Sequence, residues 1–239
     1  MKEKMKLSAK DRILRMVMIA LFCALSYAAT SLFHIKVTFL TFDIKDCIIT
    51  IGGLLFGPIA AVIISAVTAL LELITVSETG FYGFLMNFVS SASFSVVAAL
   101  IYCYRRNLFG AVIGLVSAVF SMTAIMLCMN LLIVPLYTPG ADTATVAAML
   151  PTLILPFNLT KAVMNAALVL ILYKPVSTAL RYARIKLPGH SSEQSAHHVG
   201  SWHTNLLITV AGALLVVASL ILFFVLLGGS MDWFVDPSA

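Results

Sequence analysis

The sequence predicts an all-α integral membrane protein, a bundle of six transmembrane helices with an additional C-terminal transmembrane helix. Three observations predict it. Hydrophobic residues make up 61% of the 239-residue chain and charged residues only 10%, too little charge to cover a soluble domain of this length. The apolar residues fall into runs on the scale of the about 20 residues that a helix needs to cross a bilayer. The basic residues gather beside those runs, so the net charge of +5 points to membrane orientation and lipid rather than to nucleic acid.

Taken in order, residues 1–12 form a basic N-terminal segment. The apolar run after it has the layout of a signal peptide, but its basic region is long and the run extends through Phe33. This predicts an uncleaved first span over 13–33. The stretch HIKVTFLTFDIKD, 34–46, is expected to be a loop. Residues 47–74 are too long for one helix, and Gly57-Pro58 divides them into a short second span and a third. A fourth span over about 84–104 ends at Arg105-Arg106, and a fifth over about 108–135 stops near Pro135. The sixth is expected between Pro151 and Pro175. Residues 13–185 thus make the membrane domain, 186–204 a polar linker, 205–228 a seventh span with no evident role in binding, and 229–239 a tail.

Charge counting orients this topology. Lys2, Lys4, Lys6, Lys10, Arg12, Arg15, Arg105, Arg106, Lys174, Arg181, Arg184 and Lys186 all fall on one side, which leaves Lys36 and Lys45 in loops on the other and Lys161 within a span. The N-terminus is therefore expected in the cytoplasm and the tail, with Asp232 and Asp236, outside. Cys23, Cys47, Cys103 and Cys128 form no CxxC pair and read as small apolar fillers. His190, His197, His198 and His203 lack fixed ligand spacing and read as a solvated linker.

Polar residues inside the spans carry the functional signal. Asn158, Lys161 and Asn165, at i, i+3 and i+7, share one face of the sixth helix. Ser65, Thr68 and Glu72 repeat that spacing on the third, Asn87, Ser91 and Ser95 line the fourth, and Asn130 lies near the outer end of the fifth. Ser and Thr in such places commonly serve as packing glue between helices. Lys161 is costly there, about 2.5–3.5 kcal/mol even on the most lenient scale, unless its long stem lets the amine reach the interface. With the asparagines beside it, the pattern favours a polar cavity open to the outside, holding one cation, no carboxylate cluster, and walls from Phe39, Phe42, Phe81 and Phe157. That suits a flat heterocycle bearing carbonyls or hydroxyls better than an inorganic ion. Ala20, Ala24 and Ala28 form a smooth strip that suits either internal packing or a partner helix. The nucleotide-binding loop and the hydrolase motifs HExxH and GxSxG are absent from the sequence, so no enzyme and no catalytic residue is expected.

The stretches FLTFDIKDCIITIGGLLFGPIAAVI and PFNLTKAVMNAALVLILYKP, with the alanine strip, resemble the substrate-binding membrane subunit (S component) of energy-coupling factor vitamin transporters, nearest to the riboflavin-specific branch. The resemblance covers about residues 10–180. It implies a six-helix fold with a vitamin site near the outer face under the first loop, in a prokaryotic cell membrane. It implies riboflavin contacts from Asn130, Asn158 and Lys161 and from the backbone at Leu40, with Thr41 standing where the family has lysine. It also implies that Ala20, Ala24 and Ala28 dock on a transmembrane coupling subunit driven by two ATPase subunits. Riboflavin is then cargo, and no cofactor is expected. Two rival readings stand beside it: another vitamin (thiamine, biotin or pantothenate), with Glu72 favouring cationic thiamine, and a membrane lipid-modifying enzyme with Lys161 and Glu72 as acid and base.

Overall fold

Helices form wherever the apolar runs require them, because a backbone in hydrocarbon must satisfy its own hydrogen bonds. The computed structural model describes residues 9–37, 40–75, 79–138, 140, 142–182 and 202–226. Phe39, the linker residues His190, His197 and His198, and the tail with Asp232 and Asp236 lie outside them. In chain order the elements are α1 (Ala9–Leu32), β1 (His34–Val37), β2 (Leu40–Asp43), α2 (Lys45–Phe56), α3 (Pro58–Thr75), α4 (Gly80–Tyr104), α5 (Leu108–Tyr137), α6 (Thr143–Met149), α7 (Leu155–Tyr182) and α8 (Trp202–Leu226).

Among the described residues five helical runs are long and apolar enough to cross a membrane: Ala9–Leu32, Pro58–Thr75, Gly80–Tyr104, Phe109–Tyr137 and Thr143–Tyr173. The expected count of six plus one resolves into these five, the short α2, and α8, whose apolar stretch is Thr209–Val225. At about 18 Å, α2 cannot span a hydrocarbon core of about 30 Å. It is instead the centre of the bundle, packed by α1, α3, α4 and α7, and 11 of its 12 residues are buried. The glycine pair explains this fit. A Cβ on Gly53 would lie 2.8 Å from Ala61 Cβ and 3.3 Å from Ala99 Cβ, so glycine lets α2 approach both neighbours. Gly57, at φ +98°, makes the break before Pro58, and Arg15 of α1 donates to the Phe56 carbonyl at the end of α2.

The segment 34–46 is not a loop. Residues 34–37 and 40–43 pair antiparallel, His34 opposite Asp43 and Val37 opposite Leu40, and Lys45 begins α2. Alternation of Ile35, Val37, Leu40 and Phe42 with polar residues carries that signal. Pro135 lies within α5, and Pro175 lies within α7 rather than ending it. The sixth run starts at Thr143, eight residues before Pro151, with Asp142 capping through the Thr145 amide. Pro151 and Pro156 lack an N–H and crowd the carbonyl four residues back. A wider π turn over Leu150–Ile154 takes up the mismatch, with the Leu155 amide bonding to the Leu150 carbonyl. Nor is α8 merely peripheral: it packs along α7, and Phe223 is buried against Phe42.

Candidate functional site

The hairpin and α2 meet at Asp43-Ile44-Lys45-Asp46, and three of these four residues are charged and buried. Such charges persist inside a bundle only when paired, and each has a counterpart from another helix. Lys161 of α7 donates to Asp43 Oδ2 at 2.9 Å and to the Thr41 carbonyl at 3.1 Å. Lys45 donates to both oxygens of Glu72 on α3, at 2.8 and 2.7 Å, and lies 3.6 Å from Asp43 Oδ2. Asn87 of α4 donates to the same Glu72 at 2.9 Å. Ser91, one turn further along α4, donates to Asp46 Oδ1 at 2.5 Å.

These contacts correct expectations from the sequence. Lys45 is no loop residue but 2% exposed, and of the two alternatives for Lys161 the buried one holds, its amine bonding to Asp43. The single cation expected in this region is joined by a second, Lys45, and by three buried carboxylates, Asp43, Asp46 and Glu72. Asp43 Oδ1 and Asp46 Oδ2 are buried and accept no hydrogen bond among the described residues. No group of three His, Cys, Asp or Glu among those residues could hold a metal ion. The acid–base pair imagined for an enzyme is divided, since Lys161 pairs with Asp43 while Glu72 pairs with Lys45.

Asn165 is the joint between this network and α7. Its Oδ1 accepts the Cys47 amide at 2.8 Å, one of the donors that the first turn of α2 leaves without a helical partner. Its Nδ2 donates to the carbonyls of Asp43, at 3.1 Å, and Lys161, at 3.0 Å. The amide is therefore committed to backbone on both sides. Asn158 and Asn130 differ: each donates to the carbonyl four residues back in its own helix, Ile154 and Met126. Both are buried, on helices α7 and α5 that pack together. Asn130 Oδ1 accepts nothing among the described residues, which is uncommon for a buried acceptor.

An apolar layer adjoins the polar one. Leu40 and Phe42 of β2 pack with Phe157 and Met164 of α7 and Phe223 of α8, and the Phe42 and Phe157 rings stand edge to face at 6.0 Å. Phe81, expected in the wall, is instead 65% exposed. Ser65 and Thr68 act as helix glue, Thr68 bonding to Ser26 of α1 at 2.6 Å and Ser65 to Ser95 of α4 at 3.4 Å. The α2 charges and Phe223 were missed in the sequence. The polar flank of an apolar run reads as loop, but Gly212, Val216, Ser219 and Phe223 share a helical face that spacing alone could have shown.

On the opposite side of α1, Ala20 and Ala24 are exposed and Ala28 is half-buried. Ala20 and Ala24 line an apolar groove of about 470 Å³ between α1 and α3, with Met16, Ile63, Val67 and Leu71 among its walls.

Comparison with known proteins follows the same outline. A family model described as ECF transporter, substrate-specific component, matches residues 14–173. The riboflavin transporter RibU of Staphylococcus aureus (strain TCH60) is 28% identical over 176 residues, which cover 70% of this chain and 92% of that protein. A solved structure described as the S component of a bacterial ECF transporter superposes with a TM-score of 0.60 at 27% identity, covering 71% of this chain and 99% of that one.

Proposed function

The chain belongs to the substrate-specific components of ECF transporters, and from that premise we propose that it captures riboflavin for import. The reading is supported by the likeness to a riboflavin transporter and, above all, by the open acceptor at Asn130 Oδ1. An isoalloxazine ring offers an imide N–H to such an oxygen and carbonyls to an ammonium. The ribityl hydroxyls suit the unpartnered oxygens of Asp43 and Asp46. Leu40, Phe42 and Phe157 supply apolar surface for the ring.

In this reading the hairpin end faces outside, and β1–β2 is the cover. Lys161 exchanges its bond to Asp43 for a flavin oxygen, Asn158 and Asn130 orient the ring, and Asn165 keeps the cover jointed to α7. Lys45, Glu72 and Asn87 hold the floor. The groove at Ala20 and Ala24 receives a transmembrane coupling subunit, and two ATPase subunits supply the energy, for which this chain has no nucleotide loop.

Flavin co-purification is the test. Wild type should carry a yellow ligand or quench riboflavin fluorescence at micromolar concentration, and Lys161→Ala should weaken that quenching at least tenfold. A colourless wild type without quenching overturns the reading. The three buried carboxylates against two ammonium groups favour cationic thiamine as the rival cargo, and competition by a vitamin panel separates the two.

A further inference from the structure

The family match ends at Tyr173, so α8 lies beyond it. Most of its large side chains face outward, with Leu214 65%, Val217 52%, Ile221 58% and Val225 71% exposed. Its inward stripe is Gly212, Val216, Ser219 and Phe223, spaced at i, i+4, i+7 and i+11 along one face. At Gly212 a Cβ would stand 2.7 Å from Ile171 Cγ1 and 3.3 Å from the Ala167 carbonyl, so the small residue lets α8 lie close on α7. Eleven residues later the stripe ends in a ring. Phe223 is 5% exposed, and its centroid is 4.4 Å from that of Phe42.

Phe42 precedes Asp43, whose carboxylate holds Lys161. The outermost large residue of the α8 stripe therefore touches the hairpin and not only α7. A two-stranded hairpin is marginal by itself, so this one depends on what lies against it. Because α8 is anchored on α7 at Gly212, the Phe223 contact can be lost while α8 stays in place.

We propose that α8 is a built-in clasp, and Phe223 a positioning residue, that holds Phe42 and β2 on α7 and so sets how readily the site opens. For the ligand this rests on the riboflavin reading; the clasp itself does not. Hairpin opening then requires separation of the Phe42–Phe223 pair in addition to release of the hairpin from α7, where Lys161 holds Asp43 and Thr41 and Phe157 packs on Phe42.

The experiment uses the full chain in lipid nanodiscs, with Phe223→Ala and, as control, the outward Val225→Ala. Hydrogen exchange of the amides at 34–37 and 40–43 is measured without ligand, and riboflavin release is followed by recovery of flavin fluorescence on dilution. F223A should speed hairpin exchange and riboflavin release by roughly 2- to 10-fold, the range of an aromatic pair, with α4 and α5 as protected as in wild type. V225A should change neither, and Phe223→Trp should return most of the lost protection. Unchanged hairpin exchange in F223A, or an equal effect of V225A, overturns the clasp. Faster exchange with unchanged release overturns its control of the ligand. If wild type binds no riboflavin, the riboflavin reading fails while the exchange data still decide the clasp. Should F223A lose protection across α4 and α5 as well, Phe223→Leu takes its place, and an increase confined to the hairpin is again required.

Discussion

Replacing Lys161 by methionine keeps the length of the stem and removes the charge that faces Asp43. At the effective dielectric that suits protein sites, a unit pair at the observed 2.9 Å attracts by about 6 kcal/mol before desolvation. Lys45, at 3.6 Å from the same oxygen, contributes about 5 kcal/mol on the same scale. Asp43 thus keeps nearly half of its compensation in K161M. Breaking a fully buried pair usually costs about 3–5 kcal/mol, and the remaining lysine brings the expected loss down to about 2–3 kcal/mol. For a chain of this size that lowers the midpoint of thermal unfolding by about 5–10 °C, read by scanning fluorimetry in detergent. The companion variant Asp43→Asn should cost a similar amount, because it strands the Lys161 ammonium. The double variant removes both charges and should recover to within about 1 kcal/mol of wild type, since a neutral replacement of a buried pair is often near neutral. Losses in K161M and D43N that simply add, with coupling below about 0.5 kcal/mol, would refute the claim that these two charges compensate each other.

Other expectations follow from the same contacts. Asn165→Ala leaves the Cys47 amide and the Asp43 carbonyl unpaired and should cost about 1–3 kcal/mol, with faster exchange at the start of α2 as its local mark. Gly53→Val forces a branched side chain against Ala61 and Ala99 and should destabilise by about 1–3 kcal/mol, measured by the same melting experiment. Glu72→Gln leaves Lys45 with Asp43 alone, so its cost should shrink when combined with Lys45→Met, and a double variant worse than either single one would contradict the pairing. Asn107→Ala removes the side-chain acceptor from the Gly110 amide at the start of α5 and should cost about 0.5–2 kcal/mol.

Much of the bundle was legible in the sequence, since a helix in lipid needs only length and apolarity. The break at Gly57-Pro58, the face shared by Lys161 and Asn165, and the inward aim of Glu72 were all readable from spacing. What spacing cannot supply is the partner. Lys45 and Asp46 stand at the polar edge of an apolar run, where charged residues usually mark a loop. Only the meeting of α2 with α3, α4 and α7 turns them into buried ions. The prolines misled for a related reason: Pro151 reads as a helix start, yet a π turn accommodates it inside a run that begins at Thr143. The hairpin was masked by its neighbours, four-residue strands between long helices.

The short central helix also has a consequence for how the protein is made. Asp43 and Lys161 lie 118 residues apart in the chain, as do Cys47 and Asn165. During synthesis α1, α3, α4 and α5 can enter the membrane on their own hydropathy, but Asp43, just ahead of α2, and the Cys47 amide in its first turn have their partners on α7, which is not yet translated. Until α7 arrives, Asp43 lacks Lys161 and the first turn of α2 lacks its cap, so the junction belongs in a watery place rather than in lipid. Closure of the central helix is therefore expected as a late step of assembly. Asp43 and the Cys47 amide thus gain their α7 partners only once the chain has been made as far as Asn165.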